Sequence, residues 1–226
     1  MLRFTPLSGF ERLGLALGSA LVSLVDPGRA DMVALLGEVT GSRALLRLRA
    51  QLQGSADGRW VLQHRPLVRG EAFTPAALRA SMPPGSFGAA YGLYLSEHAF
   101  SADARAPVRL VEGGAELAYI MARYREVHDF LHVLSGLPPS VAGEVALKWL
   151  EMAQTGLPVA ALAALVGPLR LSASERTQLL RELAPWALRT AAAAPPLLSV
   201  RYEDLLPLPL ADVQARLRIA PAPRLQ

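Results

Sequence analysis

Helix start and stop signals recur along this chain, and they constrain its fold more than any other feature. Proline or serine stands where helices are expected to begin and glycine where they are expected to end, as at Pro27 and Gly41. Proline suits the first helical position, and glycine suits the position just after the last one. Strand-like alternation of apolar and polar residues is scarce. The sequence therefore predicts an all-α protein.

The length of the chain predicts how that helical fold is divided. A chain of 226 residues is long enough to bury one substantial core. We expect a single-domain helical bundle over residues 1–226, with a core over 1–190 and a linker plus short C-terminal helix over 191–226. Hydrophobic residues make up 52% of the chain and aromatic residues only 6%. This composition indicates aliphatic helices with room for a lipid.

The composition also excludes several classes of function. There is no cysteine, which rules out a disulfide framework and a thiolate nucleophile and leaves nitrogen and oxygen ligands for any zinc site. The net charge is +4, but the basic residues do not cluster, so we expect no nucleic-acid binding. The apolar segments 13–25 and 157–169 are each shorter than the roughly 20 residues that span a bilayer. Core helices or interfacial helices are expected there.

The same signals assign most of the remaining chain. Helices are expected between Pro27 and Gly41, from Ser42 to Gly54, after Thr74 and Ser86, and near residues 211–219. A polar loop is expected over 54–59, and the segment 60–68 is left unassigned. Ser172 and Glu175 have the spacing of a capping box for a helix to about Arg189, followed by a linker over 191–196.

Two consecutive helices carry the most informative polar residues. The first is predicted over 115–135, where residues at three- and four-residue spacing form one inward stripe. That stripe contains Leu117, Ile120, Met121, Tyr124, His128, Leu131 and Ser135. Ser140 begins the second helix, which carries Glu144 and ends near Gly156. Because the turn between them is short, the two helices are expected to be antiparallel neighbours.

Four side chains on these helices have the spacing of a metal site. His128 and His132 are four residues apart on one helical face, and Asp129 lies beside that face. Glu144 comes from the next helix and can face both histidines. Imidazoles and carboxylates are good ligands for zinc and similar divalent metals. The spacing therefore predicts that His128, Asp129, His132 and Glu144 can hold one zinc ion, or else iron or another divalent metal.

Other interpretations of these residues stay open. Paired helical histidines often make ordinary hydrogen bonds, and Glu144 could form a surface ion pair with Lys148. A zinc metallohydrolase would carry His-Glu-x-x-His with glutamate as general base, whereas Asp129 is one methylene shorter. Arg123 and Arg125 flank the site helix, where they could attract a carboxylate substrate or be solvated.

The residues around this constellation resemble the coenzyme Q biosynthesis protein 4 family. The resemblance is carried by 123–132, Gly143 and Glu144, Lys148 and Trp149, and 154–158. Residues 26–41, 106–109 and 182–186 are similar to the family in the same order. The resemblance therefore covers almost the whole chain.

That resemblance implies a role, a location and partners. The implied protein is all-helical and acts in ubiquinone biosynthesis. It removes the ring carboxylate of a polyprenylated 4-hydroxybenzoate-derived lipid, with hydroxylation at the same carbon as a variant of the step. It lies peripherally on the matrix side of the mitochondrial inner membrane, where it helps to organise a complex of ubiquinone-biosynthesis enzymes and can form a homo-oligomer. Met1 lies only a few residues before the first expected helix, so the localisation rests on the resemblance alone.

The resemblance also implies a ligand set, and the role of the metal has two interpretations. The metal motif of the family corresponds to His128, Asp129, His132 and Glu144, and with the implied activity these four are the expected catalytic residues. A catalytic metal would stabilise the charge that develops as the carboxylate leaves, but four protein ligands fill a tetrahedral zinc, and ferrous iron would suit an oxygen-dependent step better. The alternative is a non-enzymatic scaffold that binds polyprenyl lipid and uses the metal only to join two helices. Segments 13–25 and 157–169 are candidates for lining the lipid groove or touching the bilayer.

Overall fold

The protein is built from helices packed around one core. The computed structural model describes residues 7–26 and 29–225, and this part of the chain contains no β-strand. The α-helices are α1 (Gly9–Val25), α2 (Ala30–Thr40), α3 (Ser42–Gln53), α4 (Ala56–His64), α5 (Pro75–Ser81), α6 (Phe87–Glu97), α7 (Ala115–Ser135), α8 (Val141–Thr155), α9 (Pro158–Val166), α10 (Ala173–Gln178), α11 (Ala184–Ala193), α12 (Tyr202–Leu205) and α13 (Leu210–Leu217). This confirms the predicted all-α, single-domain class.

The predicted start and stop signals have the expected local roles. Four hydroxyl side chains each accept a hydrogen bond from the backbone amide three residues later, which satisfies one free donor at a helix start: Thr74, Ser86, Ser140 and Ser172. Gly136 and Gly156 end α7 and α8 with φ of 72° and 62°. Glycine adopts this left-handed conformation without strain, so these two glycines mark the C-terminal ends of α7 and α8.

One segment differs from the sequence prediction. A loop is expected over 54–59, but α4 begins at Ala56 because the Ser55 side chain accepts from the amide of Gly58. A Cβ at Gly58 would lie 2.2 Å from the carbonyl oxygen of Leu52. Gly58 therefore lets α4 pack closely against the end of α3, whereas the sequence pattern places this glycine in a loop.

Two other boundaries also differ from expectation. α11 continues to Ala193, three residues into the segment expected to be a linker. The predicted helix start at Pro27 lies outside the described residues, and α2 is described from Ala30. Residues after 190 contribute Leu197, Tyr202 and Val213 to the common core. The division into a core over 1–190 and a tail over 191–226 stays a prediction.

Helix α7 lies at the centre of the fold. The predicted stripe is buried at residues such as Leu117 and Leu131, and α7 is also buried on its other faces, for example at Tyr119 and Phe130. α3 and α6 pack against it, and the C-terminal segment reaches its end, where the amide of Ala222 donates to the Ser135 carbonyl over 2.8 Å. Side chains on α7 are therefore held on a rigid support.

The predicted antiparallel relation of α7 and α8 is visible in their side-chain contacts. His132 meets Glu144, and one or two turns earlier on α7, His128 and Tyr124 meet Glu151. Descending residue numbers on α7 thus pair with ascending numbers on α8. The two helices share one polar seam, which Gly136 allows by ending α7 in a tight turn.

Candidate metal centre

Three of the four predicted ligands converge on one point between α7 and α8. Nε2 of His128 lies 3.3 Å from Nε2 of His132 and 3.3 Å from Oε2 of Glu144. Nε2 of His132 lies 3.2 Å from Oε1 of Glu144. These separations are close to the ~3.3 Å between neighbouring ligand atoms of a tetrahedral zinc ion with bonds of about 2.0–2.1 Å. One ligand atom from each residue can therefore reach a common cation.

The two imidazole rings are held so that both Nε2 atoms face that point. Nδ1 of His132 lies 2.9 Å from the carbonyl oxygen of Leu137, and Nδ1 of His128 lies 2.6 Å from Oε1 of Glu151. A carbonyl or a carboxylate can only accept, so in the neutral rings Nδ1 carries the proton and Nε2 presents a lone pair. Metal-binding histidines in proteins are oriented in this way.

The electrostatics of the cluster favour a positive charge at its centre. Burial and the Lys148 ammonium lower the pKa of His128, but the carboxylates of Glu151 and Glu144 outweigh them and raise it to about 9. Burial raises the pKa of Glu144, but His128 and His132 hold it well below its usual range. Two lone pairs and a carboxylate face one another, which is stable only with a proton or a cation between them. This donor set fits zinc or another divalent ion that accepts nitrogen and oxygen ligands.

Asp129, the fourth predicted ligand, has a different partner. Its Oδ2 accepts from Nη2 of Arg105, and Nη1 of the same guanidinium donates to the Ala102 carbonyl over 2.8 Å. The carboxylate lies outside the group of His128, His132 and Glu144. Its assignment as a metal ligand stays a prediction. The ion pair also makes Asp129 a poor match for the general base of a zinc peptidase.

The structure also places the other charged residues near the site. Lys148 donates to Oε2 of Glu151 over 2.6 Å, which replaces the ion pair with Glu144 considered from the sequence. Arg123 is 1% exposed and binds Glu203, with Nη1 lying 2.5 Å from Oε1. Arg125 binds Glu38. Both arginines therefore form ion pairs within the fold, with Arg123 fully buried and Arg125 partly exposed.

Sequence reasoning missed Glu151 and Tyr94. Glu151 follows Glu144 by seven residues and Lys148 by three, so helical spacing alone puts all three on one face of α8. The Tyr94 ring stacks on the His132 ring, with centroids 5.6 Å apart. Tyr94 comes from α6, and nothing in the sequence links that helix to the site.

Large apolar side chains are exposed on α1 and at the end of α9. Five large side chains on α1 are 56–87% exposed: Phe10, Leu13, Leu17, Leu21 and Val25. Leu165 and Leu169 add 61% and 73% exposure at the end of α9 and in the 3₁₀ turn Gly167–Arg170. We call these seven residues the apolar surface.

The two parts of the apolar surface are linked by one hydrogen bond. Nη1 of Arg170 donates to the carbonyl oxygen of Val25, which joins the two parts. A Cβ at Gly167 would lie 2.7 Å from Cγ2 of Val145, so the 3₁₀ turn packs against the residue that follows Glu144 on α8. Groups of exposed large apolar side chains often mark a site for a lipid or protein partner. Within the described residues, no helix has the length and apolar character needed to cross a membrane.

Comparison with known proteins gives a consistent result over nearly the whole chain. The family described as coenzyme Q (ubiquinone) biosynthesis protein Coq4 matches residues 3–223. The mitochondrial ubiquinone biosynthesis protein COQ4 homolog of Bos taurus is 45% identical over 218 residues, covering 96% of this chain and 82% of the relative. The Homo sapiens homolog is 44% identical over 198 residues, covering 88% and 74%. A Nostoc punctiforme crystal structure shares the fold, with a TM-score of 0.72 at 18% identity, covering 91% of this chain and 97% of that one.

Proposed function

This chain belongs to the Coq4 family of ubiquinone biosynthesis proteins, and from that membership we propose that it is a metal-dependent carboxy-lyase. Its substrate would be a polyprenylated, 4-hydroxybenzoate-derived lipid that loses its ring carboxylate as carbon dioxide. A role in ubiquinone biosynthesis follows from the family; the reaction, the metal and the location are our proposals.

The observation that carries the proposal is the convergence of three acceptors on one point. Nε2 of His128, Nε2 of His132 and the Glu144 carboxylate face one another at 3.2–3.3 Å, with both rings fixed by hydrogen bonds from Nδ1. Three protein ligands are the number used by catalytic zinc sites, where the remaining position serves water or substrate. Since Asp129 is paired with Arg105, the three other residues are the best-supported ligands.

The surrounding residues define how the site would act. A bound divalent cation supplies Lewis-acid stabilisation for negative charge on the aromatic head group. Tyr94 packs against His132 and limits the approach to the ligand ring. Burial raises the pKa of Tyr94, and the carboxylates of Asp129 and Glu144 raise it further. The Tyr94 hydroxyl therefore stays protonated and able to donate a hydrogen bond. Arg105 neutralises Asp129 beside the site, which lowers the repulsion that an anionic substrate would meet.

The apolar surface supports the proposed lipid substrate and a peripheral position on a membrane. It includes side chains along α1 and Leu169, which lies in the 3₁₀ turn that packs against Val145, the residue after Glu144. A polyprenyl tail or a bilayer surface can cover these side chains while the polar head group reaches the metal centre. The relatives named above are mitochondrial proteins. We propose the matrix side of the inner membrane, within a complex of ubiquinone-biosynthesis enzymes.

The decisive experiment supplies purified protein with the carboxylated polyprenyl precursor and measures carbon dioxide. Separate preparations carry zinc or ferrous iron, and each is assayed with and without oxygen. Mass analysis of the product shows whether hydrogen or a hydroxyl group replaces the carboxylate. His132→Ala is expected to lose metal and turnover while keeping its helical circular dichroism.

The competing function is a lipid-binding scaffold in which the metal only joins α7 and α8. The exposed apolar surface is the observation that favours it. Lipid binding without carbon dioxide release, under every metal and oxygen condition, would establish the scaffold and exclude the enzyme. Full turnover by metal-free protein would exclude the metal-dependent mechanism.

A further inference from the structure

A buried polar network adjoins the proposed metal centre on the side away from Glu144. Glu151 is 1% exposed, and its two carboxylate oxygens have different partners. Oε1 lies 2.6 Å from Nδ1 of His128. Oε2 accepts from the Lys148 ammonium and from the Tyr124 hydroxyl, each over 2.6 Å. Three donors thus converge on one buried carboxylate.

We propose that Glu151 is a positioning residue that holds His128 for metal binding and that Lys148 balances its charge. The inference rests on the metal site of the proposed function. Glu151 acts only through the imidazole of His128. It lies outside the four residues expected from the sequence to hold the metal.

The geometry separates the two metal-binding histidines chemically. Nδ1 of His132 donates to a neutral carbonyl, that of Leu137, whereas Nδ1 of His128 donates to a carboxylate. A carboxylate partner makes the opposite ring nitrogen a stronger ligand and fixes the ring plane. His128 is therefore the ligand whose affinity depends on a single replaceable side chain.

The charges in the network have opposite effects on a cation at the centre. The negative charge of Glu151 attracts it, and Lys148, whose Nζ lies 3.3 Å from Nδ1 of His128, repels it. Without Lys148, the buried carboxylate of Glu151 would lack its counter-charge, which is unfavourable in a protein interior. The lysine thus stabilises the fold at some cost in metal affinity.

The test compares two single variants by zinc affinity, measured by chelator competition on the full chain. Glu151→Gln keeps the shape and removes the negative charge, and zinc binding is expected to weaken about 10- to 100-fold. Lys148→Met removes the positive charge, and zinc is expected to bind as tightly as in the wild type or more tightly. A network that only packs the helices would weaken zinc binding to the same extent in both variants, which overturns the proposal.

The double variant and a remote control keep the test decisive. Glu151→Gln with Lys148→Met buries no unpaired charge, so it covers the case in which a single variant fails to fold. It is expected to bind zinc at least tenfold more weakly than the wild type, and wild-type affinity would overturn the proposal. Glu203→Gln alters another carboxylate paired with α7, through Arg123, and should leave zinc affinity unchanged.

A spectroscopic measurement separates positioning from general loosening. In the zinc-loaded wild type, nitrogen NMR should show His128 protonated at Nδ1 and bound to metal at Nε2. In Glu151→Gln, the His128 signals should change while those of His132 stay in place. Equal changes at both histidines contradict a role specific to His128.

The outcomes also separate this inference from the proposed function. If the wild-type protein binds no divalent metal, the metal centre and the inference both fail. If it binds zinc and Glu151→Gln binds zinc equally well, only the inference fails.

Discussion

Glu38 on α2 and Arg125 on α7 form an ion pair in which Oε1 lies 2.7 Å from Nη2. The other oxygen of Glu38 accepts from the backbone amides of Arg109 and Leu110, each over 2.8 Å. Glu38 is 6% exposed. The buried carboxylate of Glu38 therefore links α2 to α7 and to the segment just before α7.

Replacing this carboxylate should destabilise the whole fold. Glu38→Gln leaves the partly buried Arg125 without its counter-charge, and breaking a buried pair from one side costs up to about 3–5 kcal/mol. Urea unfolding measures the change. Glu116→Gln is the control, because its pair with Arg49 is 3.8 Å long and partly exposed, and a loss of at most ~1 kcal/mol is expected there. Similar losses in both variants would show that the buried pair has no special role.

Asp129→Asn tests whether this residue binds the metal. Because Asp129 is paired with Arg105, we expect zinc affinity to stay within about tenfold of the wild type, with a stability loss on the order of 1–3 kcal/mol from the broken charged hydrogen bond. Chelator competition and urea unfolding measure the two effects. A loss of zinc as complete as in His132→Ala would instead make Asp129 a ligand.

Gly143 controls where Glu144 lies. A Cβ at Gly143 would be 2.1 Å from the carbonyl oxygen of Pro138, so Gly143→Ala must shift the start of α8. We expect a loss of about 1–3 kcal/mol and weaker zinc binding. Gly14→Ala is the matched control, since a Cβ on that helical glycine meets nothing within 4 Å, and helix propensity should make it neutral or up to ~1 kcal/mol stabilising. Unchanged zinc affinity in Gly143→Ala would contradict this role.

The apolar surface should bind lipid vesicles. Leu17 and Leu21 are each 64% exposed on α1, and changing both to Glu should reduce binding to phosphatidylcholine and phosphatidylglycerol vesicles by about tenfold or more, since each buried leucine contributes about 1.5–3 kcal/mol. The control changes Leu93 and Leu188, which are 54% and 43% exposed on other helices. Vesicle flotation gives the comparison. Equal binding by the two double variants would place the membrane contact elsewhere.

The sequence predicts local structure best where a signal acts within one or two turns. Ser140 and Gly136 mark the helix ends around the site, and the spacing of His128 and His132 puts them on one face, as the structure confirms. Tyr94 and Arg105 are placed by tertiary packing, which no local signal encodes.

Partner choice is the part of the site that spacing alone does not determine. The spacing of Asp129 from the two histidines is the same whether Asp129 binds a metal or an arginine. Its actual partner, Arg105, lies 24 residues earlier in the chain, and no local pattern points to it. Lys148 can reach Glu144 or Glu151 from the same helical face, and only three-dimensional packing selects Glu151.

Because the metal centre lies between α7 and α8, metal binding there would affect the stability of the fold. His132 both faces the centre through Nε2 and closes the turn after α7 through its hydrogen bond to the Leu137 carbonyl. Any cation bound across His128, His132 and Glu144 therefore binds the folded chain far better than the unfolded one. A ligand that binds only the folded chain and is present at a hundred times its Kd adds about 2.7 kcal/mol to the free energy of unfolding. The supply of metal to its compartment would then set the lifetime of the protein.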